Sequence, residues 1–383
     1  TKALNTLQVT PATPDPKDGE IGKDEKGNLT GYLYDAAINL VKSNLPDLSE
    51  DEYKILVGKA SRELAKYGIT EIHDRTVNND AISLFKKLID SKELSVKVYS
   101  VLTYNDKSFD EYIQKGPEIN YGDLLSVRSV SMDYDGALML NGAQMKDEYL
   151  KKSDNNFAYT TPEEIETVFK KALDKKFQFC IKAVGDKAVS NSLNVIDKVL
   201  KEKNYANHRT VLEYSEFVSP EDLMKFGELK IIPSVRPEVS MTNLEIYKQF
   251  VPAQNGNNLA LWNSLLKSSG YIAAGSNFPY SNIINPLQLI YMLVNRQPLD
   301  TILQSLQGMN QVLSVEDAVK AFTKYAAYAG YEEEFRGTLE IDKFADFVVL
   351  SDDIFKIDPK KIKELKVIYT AVNGNAVFDS MNK

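Results

Sequence analysis

The chain has 383 residues, 43% of them hydrophobic and 26% charged, with a formal net charge of −8. That composition is ordinary for a globular protein. Its acidity argues against nucleic-acid binding, which needs a basic face, and no apolar run approaches the ~20 residues of a membrane-spanning helix. One cysteine, Cys180, excludes an internal disulfide and a cysteine-rich zinc site. Two histidines, His73 and His208, are a small supply for catalytic zinc, which usually draws on two or three. The length suits one large α/β barrel with insertions or two ordinary domains.

In chain order, segment 1–35 is rich in Pro, Gly and Asp and reads as a loop with turns and a short hairpin. From Leu33 onward the pattern alternates between helix and short apolar strand. Helical periodicity covers 34–44, 49–67, 79–91, 161–175, 186–202, 219–228 and 258–269, with more between 286 and 331. Helix starts are marked by Ser49 with Glu52, Thr161 with Glu164, and Ser219-Pro220.

Seven short runs suit buried strands. They are Ile69–His73, Val96–Leu102, Val127–Met132, Phe177–Lys182, Arg209–Tyr214, Lys230–Val235 and Tyr271–Ser276. Strand followed by helix, repeated in this way, implies right-handed βαβ units and a parallel sheet. Seven is one short of a closed eight-stranded barrel. After about residue 336 the pattern changes to Asp346–Leu350, Val367–Val372 and Ala376–Phe378, the last pair joined by Asn373-Gly-Asn375, which reads as one side of a small β-domain.

Several motifs, spread in order over the chain, resemble the amidohydrolase superfamily, in particular its large family 3. They are Thr13-Pro-Asp-Pro16 with Gly19-Glu-Ile21, Gly68-Ile-Thr70 leading into His73-Asp74, and Asp135-Gly-Ala-Leu138. Ala183-Val-Gly-Asp-Lys-Ala188, Gly275-Ser-Asn-Phe-Pro279, Arg336-Gly-Thr-Leu339 and Lys343-Phe-Ala-Asp-Phe-Val-Val-Leu350 continue the series. The resemblance runs from Thr1 to about Phe378. It implies an α/β fold, a distorted TIM-like (β/α) barrel beside a small β-sandwich. The expected domains are a barrel over 1–335 and part of the sandwich over 336–383.

The resemblance also implies a zinc or other divalent-metal site at the C-terminal ends of the strands, with a His-x-His pair on the first strand, which falls upstream of Thr1. The remaining ligand positions depart from the pattern. Val130-Ser131 stands where Val-Lys is expected, Ile181-Lys182-Ala183 for Ile-His-Ala, Glu213-Tyr214 for Glu-His, and Gly275-Ser276-Asn277 for Gly-Ser-Asp. The family's Gln-Pro appears as Arg236-Pro237, and its nearby histidine as Val239.

A divalent metal needs carboxylate, neutral imidazole or thiolate ligands. Lys182 offers an ammonium, Ser131 and Asn277 weak neutral oxygens, and Tyr214 a phenol titrating near 10 when free. The family's aspartate also takes a proton from the attacking water, which an Asn amide cannot do. Ser131, Lys182, Tyr214 and Asn277 are therefore expected around a metal-free pocket, with His73, Asp135, Glu213 and Arg236 supporting them. Lys182 is expected to replace the missing ion electrostatically, beside Asp133 or Glu213. No cofactor is expected.

His73 is placed at the end of its strand, near the mouth. His208 precedes its strand and so belongs to the opposite, stabilising face. Asp135-Gly136 and Gly185-Asp186 shape loops, with Asp186 capping the following helix. Cys180 and Trp262 are read as core.

The reading that follows is a catalytically impaired member that keeps a small-molecule pocket, as a binding or regulatory protein. One alternative is an active hydrolase of a small amide's C–N bond, through an unusual metal site or metal-free chemistry of Lys182 and Tyr214. Another is a structural or assembly subunit. The open sheet edges near Ile69 and Tyr271 lead to the expectation of a further N-terminal segment, attached or supplied by a partner chain, for which the resemblance implies roughly 100 residues or more; the alternatives are a rearranged barrel closed by fewer strands and a homo-oligomer. The cytoplasm is the favoured compartment, although a chain beginning at Thr1 leaves targeting unjudged.

Overall fold

The computed structural model describes residues 2–17, 19–46, 48–104, 107–151, 160–299 and 308–381. It divides into two compact units, Thr1–Ile55 and Leu56–Lys383. The first contains the expected hairpin, β1 (Gly19–Lys23) paired antiparallel with β2 (Leu29–Asp35). Asp24 closes its turn by accepting from the backbone N–H groups of Lys26 and Asn28, and Gly27 supplies the positive φ of 78°. Leu4, Val9, Ile21 and Ala37 form the small core of this unit. The helix Glu50–Lys66 spans the division and begins at the Ser49–Glu52 pair, where each backbone N–H meets the other residue's side chain.

The second unit is built on a curled parallel sheet. Its strands are β3 (Glu71–Val77), β4 (Lys97–Thr103), β5 (Glu118–Tyr121), β6 (Leu125–Asp133), β7 (Gln178–Ala183), β8 (Val211–Tyr214), β9 (Ile232–Val235) and β10 (Ala273–Ala274). Seven of them are parallel, in the order β10-β9-β8-β7-β6-β4-β3, and correspond one for one to the seven predicted runs. The exception is β5, which lies antiparallel against β6. Its four residues, Glu118-Ile-Asn-Tyr121, alternate polar and apolar over only the minimum length of a strand, a short signal beside the longer apolar runs.

Strand side chains alternate between two faces. Val130, Met132, Phe179, Ile181, Leu212 and Val235 point to the helix layer and join the main core. Cys180, Val211, Ile232 and Ala273 point the other way and meet Ala329 in a second, smaller core inside the curl. The helix after Thr161 begins as expected, with both halves of its capping box, and Ser219-Pro220 opens a helical turn without a side-chain cap; Asn78 and Ser314 cap two further helices. Asp186 departs from expectation. It is the first helical residue after the cap Gly185, and its carboxylate accepts the backbone N–H of Lys146 at 2.8 Å, which ties down a loop instead.

The chain ends in a three-stranded antiparallel sheet, β11 (Phe347–Leu350), β12 (Val367–Val372) and β13 (Asn375–Asp379). Asn373 and Gly374, with φ of 51° and 76°, make the expected turn in two residues, Asn375 already pairing with Val372. This sheet belongs to the same compact unit as the half-barrel, so the division falls at residue 55, whereas 335 was the expected boundary. Buried ion pairs explain the attachment. Lys97, 1% exposed, meets Asp346 at 2.6 Å, and Arg336 pairs with Glu71 on β3 and with Glu332. Among the described residues no helix is long and apolar enough to cross a membrane.

Candidate functional site

Register across the sheet creates the site. Asp133 on β6 pairs with Lys182 on β7, Lys182 with Glu213 on β8, and Glu213 with Ser234 on β9. Laterally paired residues of parallel strands share a face. One row at the C-terminal strand ends therefore reads carboxylate, ammonium, carboxylate, hydroxyl. Arg75 enters it from β3, with Nη2 2.9 Å from Asp133 Oδ1 and Nε 2.8 Å from Glu213 Oε2. The second contact is close but off hydrogen-bond angle, so it is chiefly electrostatic.

The other cations stand further from these carboxylates. Lys182 Nζ is 3.4 Å from Asp133 Oδ2, and Arg236 Nη2 is 3.6 Å from Glu213 Oε1. Arg236 is anchored through Nη1, which donates to Ser234 Oγ at 2.9 Å and to the Val235 carbonyl at 3.3 Å. Tyr214 sits between them, its ring centroid 5.3 Å from Lys182 Nζ and 5.5 Å from Arg236 Cζ. Its hydroxyl donates to Asn277 Oδ1 at 2.8 Å, and the Asn277 backbone N–H donates to the buried carboxylate of Glu238.

Burial works to raise the Asp133 carboxyl, but Arg75 and Lys182 outweigh it and hold it below the ordinary carboxylate range. Burial likewise opposes the Arg75 charge, and Glu213 and Asp133 overcome it, so the guanidinium is held more firmly than usual. The Tyr214 phenol is pushed by burial up to about 12 and stays neutral at physiological pH.

The expected residues divide clearly. Lys182, Tyr214, Asn277, Glu213 and Arg236 come together. Ser131 does not reach the row; it lies one layer deeper, in register with buried Cys180, its hydroxyl facing the Leu102 carbonyl at 3.4 Å. Asp135 shapes the adjoining loops by accepting the backbone N–H groups of Gln144, Val184 and Gly185 at 2.8–2.9 Å.

His73 is not at the mouth. Its strand continues to Val77, which leaves His73 low in β3, stacked on Tyr99 at 4.5 Å and 3.5 Å from Glu71. Arg75 was missed for the same reason: the charged pair Asp74-Arg75 reads as a strand end. The detectable signal is alternation, because Arg75 shares the face of His73 two residues further on. His208 lies before β8 as expected, buried, and burial lowers its imidazole to about 4. The hollow it lines with Tyr205 and Lys230, about 340 Å³, is at the opposite end of the strands.

These side chains do not fit a divalent metal. Asp133 and Glu213, the carboxylates of the row, are already engaged by a guanidinium. Their neighbours Lys182 and Arg236 are cationic donors, and the Asn277 amide oxygen is taken by the Tyr214 hydroxyl, whereas a metal requires free acceptors. Among the described residues no group of three or more His, Cys, Asp and Glu side chains is placed to hold an ion.

A family model described as the amidohydrolase family matches residues 1–378. The chain belongs to the amidohydrolase family. Among its relatives, this amidohydrolase-family chain is 27% identical to the LONG AFTER FAR-RED 3 protein of Arabidopsis thaliana, over 98% of its own length and 66% of that protein's. It is 24% identical to the protein named amidohydrolase YtcJ of Bacillus subtilis, with 98% and 71% covered. To the N-substituted formamide deformylase of Arthrobacter pascens it is 21% identical, with 97% and 69% covered. The chain thus spans about two thirds of the length of the curated relatives it matches. Among solved structures, an uncharacterized metal-dependent hydrolase from Pyrococcus horikoshii superposes with a TM-score of 0.75 at 21% identity, over 94% of this chain and 70% of that one. The shared fold is that of an amidohydrolase barrel.

Proposed function

We propose that this amidohydrolase-family chain binds a small molecule at the C-terminal strand ends and does not carry out metal-dependent hydrolysis. The observation that supports this is the position of Arg75. Its guanidinium lies within 3 Å of Asp133 and Glu213, neutralising the carboxylates that would otherwise attract an ion. A metal entering here would have to displace a fixed internal cation and be surrounded by Lys182 and Arg236, at considerable electrostatic cost. With Asn277 as an amide, the row also lacks a group at that position able to take a proton from attacking water.

Metal analysis of the purified protein tests the reading. Less than about one-tenth equivalent of zinc, iron or manganese is expected, with an unfolding temperature insensitive to chelator. A stoichiometric ion bound through Asp133 or Glu213 would overturn it.

A second reading is hydrolysis of a C–N bond. The deformylase among the relatives supports it. Turnover of N-substituted formamides, abolished by Lys182→Met or Tyr214→Phe, would favour this reading over binding alone.

A further inference from the structure

We infer that the charged row at the C-terminal strand ends is a receptor for a small organic carboxylate, held between Lys182 and Arg236 across the ring of Tyr214. The inference rests on the binding reading above and names the ligand class.

The first argument is the unequal sharing of the carboxylates. Arg75 takes the short contacts to Asp133 and Glu213, at 2.9 and 2.8 Å. Lys182 and Arg236 are left with 3.4 and 3.6 Å. A well-made ammonium or guanidinium contact to a carboxylate is about 2.7–2.9 Å. Among the described residues Asp133 is the one hydrogen-bond partner of the Lys182 ammonium, which keeps donor capacity in hand. Both side chains remain reachable, 19% exposed for Lys182 and 12% for Arg236.

The second is the charge of the row. Three cations, Arg75, Lys182 and Arg236, face two carboxylates, Asp133 and Glu213. Three further acids lie nearby. Asp135 is enclosed by three backbone N–H groups, Glu216 accepts from the Tyr247 hydroxyl at 2.8 Å, and Glu238 accepts from the Asn277 N–H. Burial raises Asp135 to about 6 and Glu216 to about 7, and raises Glu238 too, and each is held by donors other than Lys182 and Arg236. Within the row itself the cations outnumber the carboxylates by one, which favours an anion over a neutral ligand.

The third is shape and donor placement. The Tyr214 hydroxyl is committed to Asn277 Oδ1, which fixes the phenol ring between the two cations. Two cations flanking an aromatic face suit a planar anion carrying an apolar or aromatic body, with the ring supplying contact area and the cations the anchor.

Calorimetric titration of the full chain with benzoate, its neutral isostere benzamide, and inorganic phosphate tests the inference. Benzoate is expected to bind at least about tenfold more tightly than benzamide, the value of one charge-assisted hydrogen bond. Lys182→Met and Arg236→Met should each weaken benzoate by about tenfold or more, with Lys182→Arg recovering most of the loss. Met at either position removes a partly exposed charge, and a cooperative unfolding transition in each variant provides the folding control. Equal affinity for acid and amide, tighter binding of phosphate, indifference to both Met variants, or no benzoate binding at all would overturn it. Chelator distinguishes the two readings. If benzoate binding disappears with a removed metal, the metal-independent reading falls. If the protein is metal-free and benzoate fails, only the carboxylate assignment falls.

Discussion

Nε of Arg75 lies 2.8 Å from Oε2 of Glu213, although the two residues are 138 positions apart and on strands separated by three others in the sheet. The contact sits at the lip of the curl, where Glu213 is 8% and Arg75 22% exposed. One guanidinium therefore serves a nearly buried carboxylate and, at 2.9 Å, the half-exposed Asp133.

Removing that cation should be costly. Arg75→Met leaves Glu213 with Arg236 at 3.6 Å as its cationic partner. Breaking a buried pair costs about 3–5 kcal/mol, and partial exposure reduces this to roughly 2 kcal/mol. Urea unfolding measures it. A change below about 0.5 kcal/mol would mean that Arg75 is not the organising cation of the row.

Lys182 makes the contrasting prediction. Its partner Asp133 is 47% exposed and 3.4 Å away. Lys182→Met should therefore change stability by under about 1 kcal/mol. The Asp133 carboxyl should nevertheless rise, because one of the two charges holding it down is gone. A carbon-detected titration of Asp133 reads this directly, and an unmoved midpoint would show that Lys182 is merely solvated.

Glu216 gives the protein a pH dependence of definite sign. Burial raises it from the ordinary glutamate value of 4.5 to about 7. Between these values the folded state holds a proton that the unfolded chain has released. Its contribution is fully present below about 4.5 and is lost as pH rises towards 7. Glu216→Gln should remove this slope and leave the variant more stable than the parent at pH 8, by on the order of 2 kcal/mol. Chemical unfolding at pH 5 and pH 8 provides the comparison; parallel losses in parent and variant would exclude Glu216 as the cause.

Asp135 supports the loops next to the mouth. Asp135→Ala orphans three backbone N–H groups, those of Gln144, Val184 and Gly185. At about 1 kcal/mol or more for each buried donor, a loss of roughly 3 kcal/mol is expected. Amide hydrogen exchange should accelerate locally at Val184 and Gly185. Unchanged protection there would show that the carboxylate does not hold the loop.

Much of the architecture was legible along the chain because it depends on short-range chemistry. Seven apolar runs gave seven parallel strands, Thr161 and Glu164 closed their capping box, and Asn373-Gly374 made its turn. The sequence also determined which side-chain types stand at the degenerate positions: Lys182, Tyr214 and Asn277 remain donors or neutral groups in any conformation. Tertiary structure decided which residues share a face and a layer. His73 was expected at the mouth, and Arg75 is there because β3 runs on to Val77. Ser131 was expected in the same ring and lies one layer deeper, opposite Cys180, whereas Asp133, one of two carboxylates expected beside Lys182, is there because β6 and β7 pair in that register. The physical reason is the period of two along a strand. A shift of one residue turns a side chain to the other face, and a shift of two moves it by one layer. Register is set by pairing between segments tens of residues apart, which no local pattern encodes.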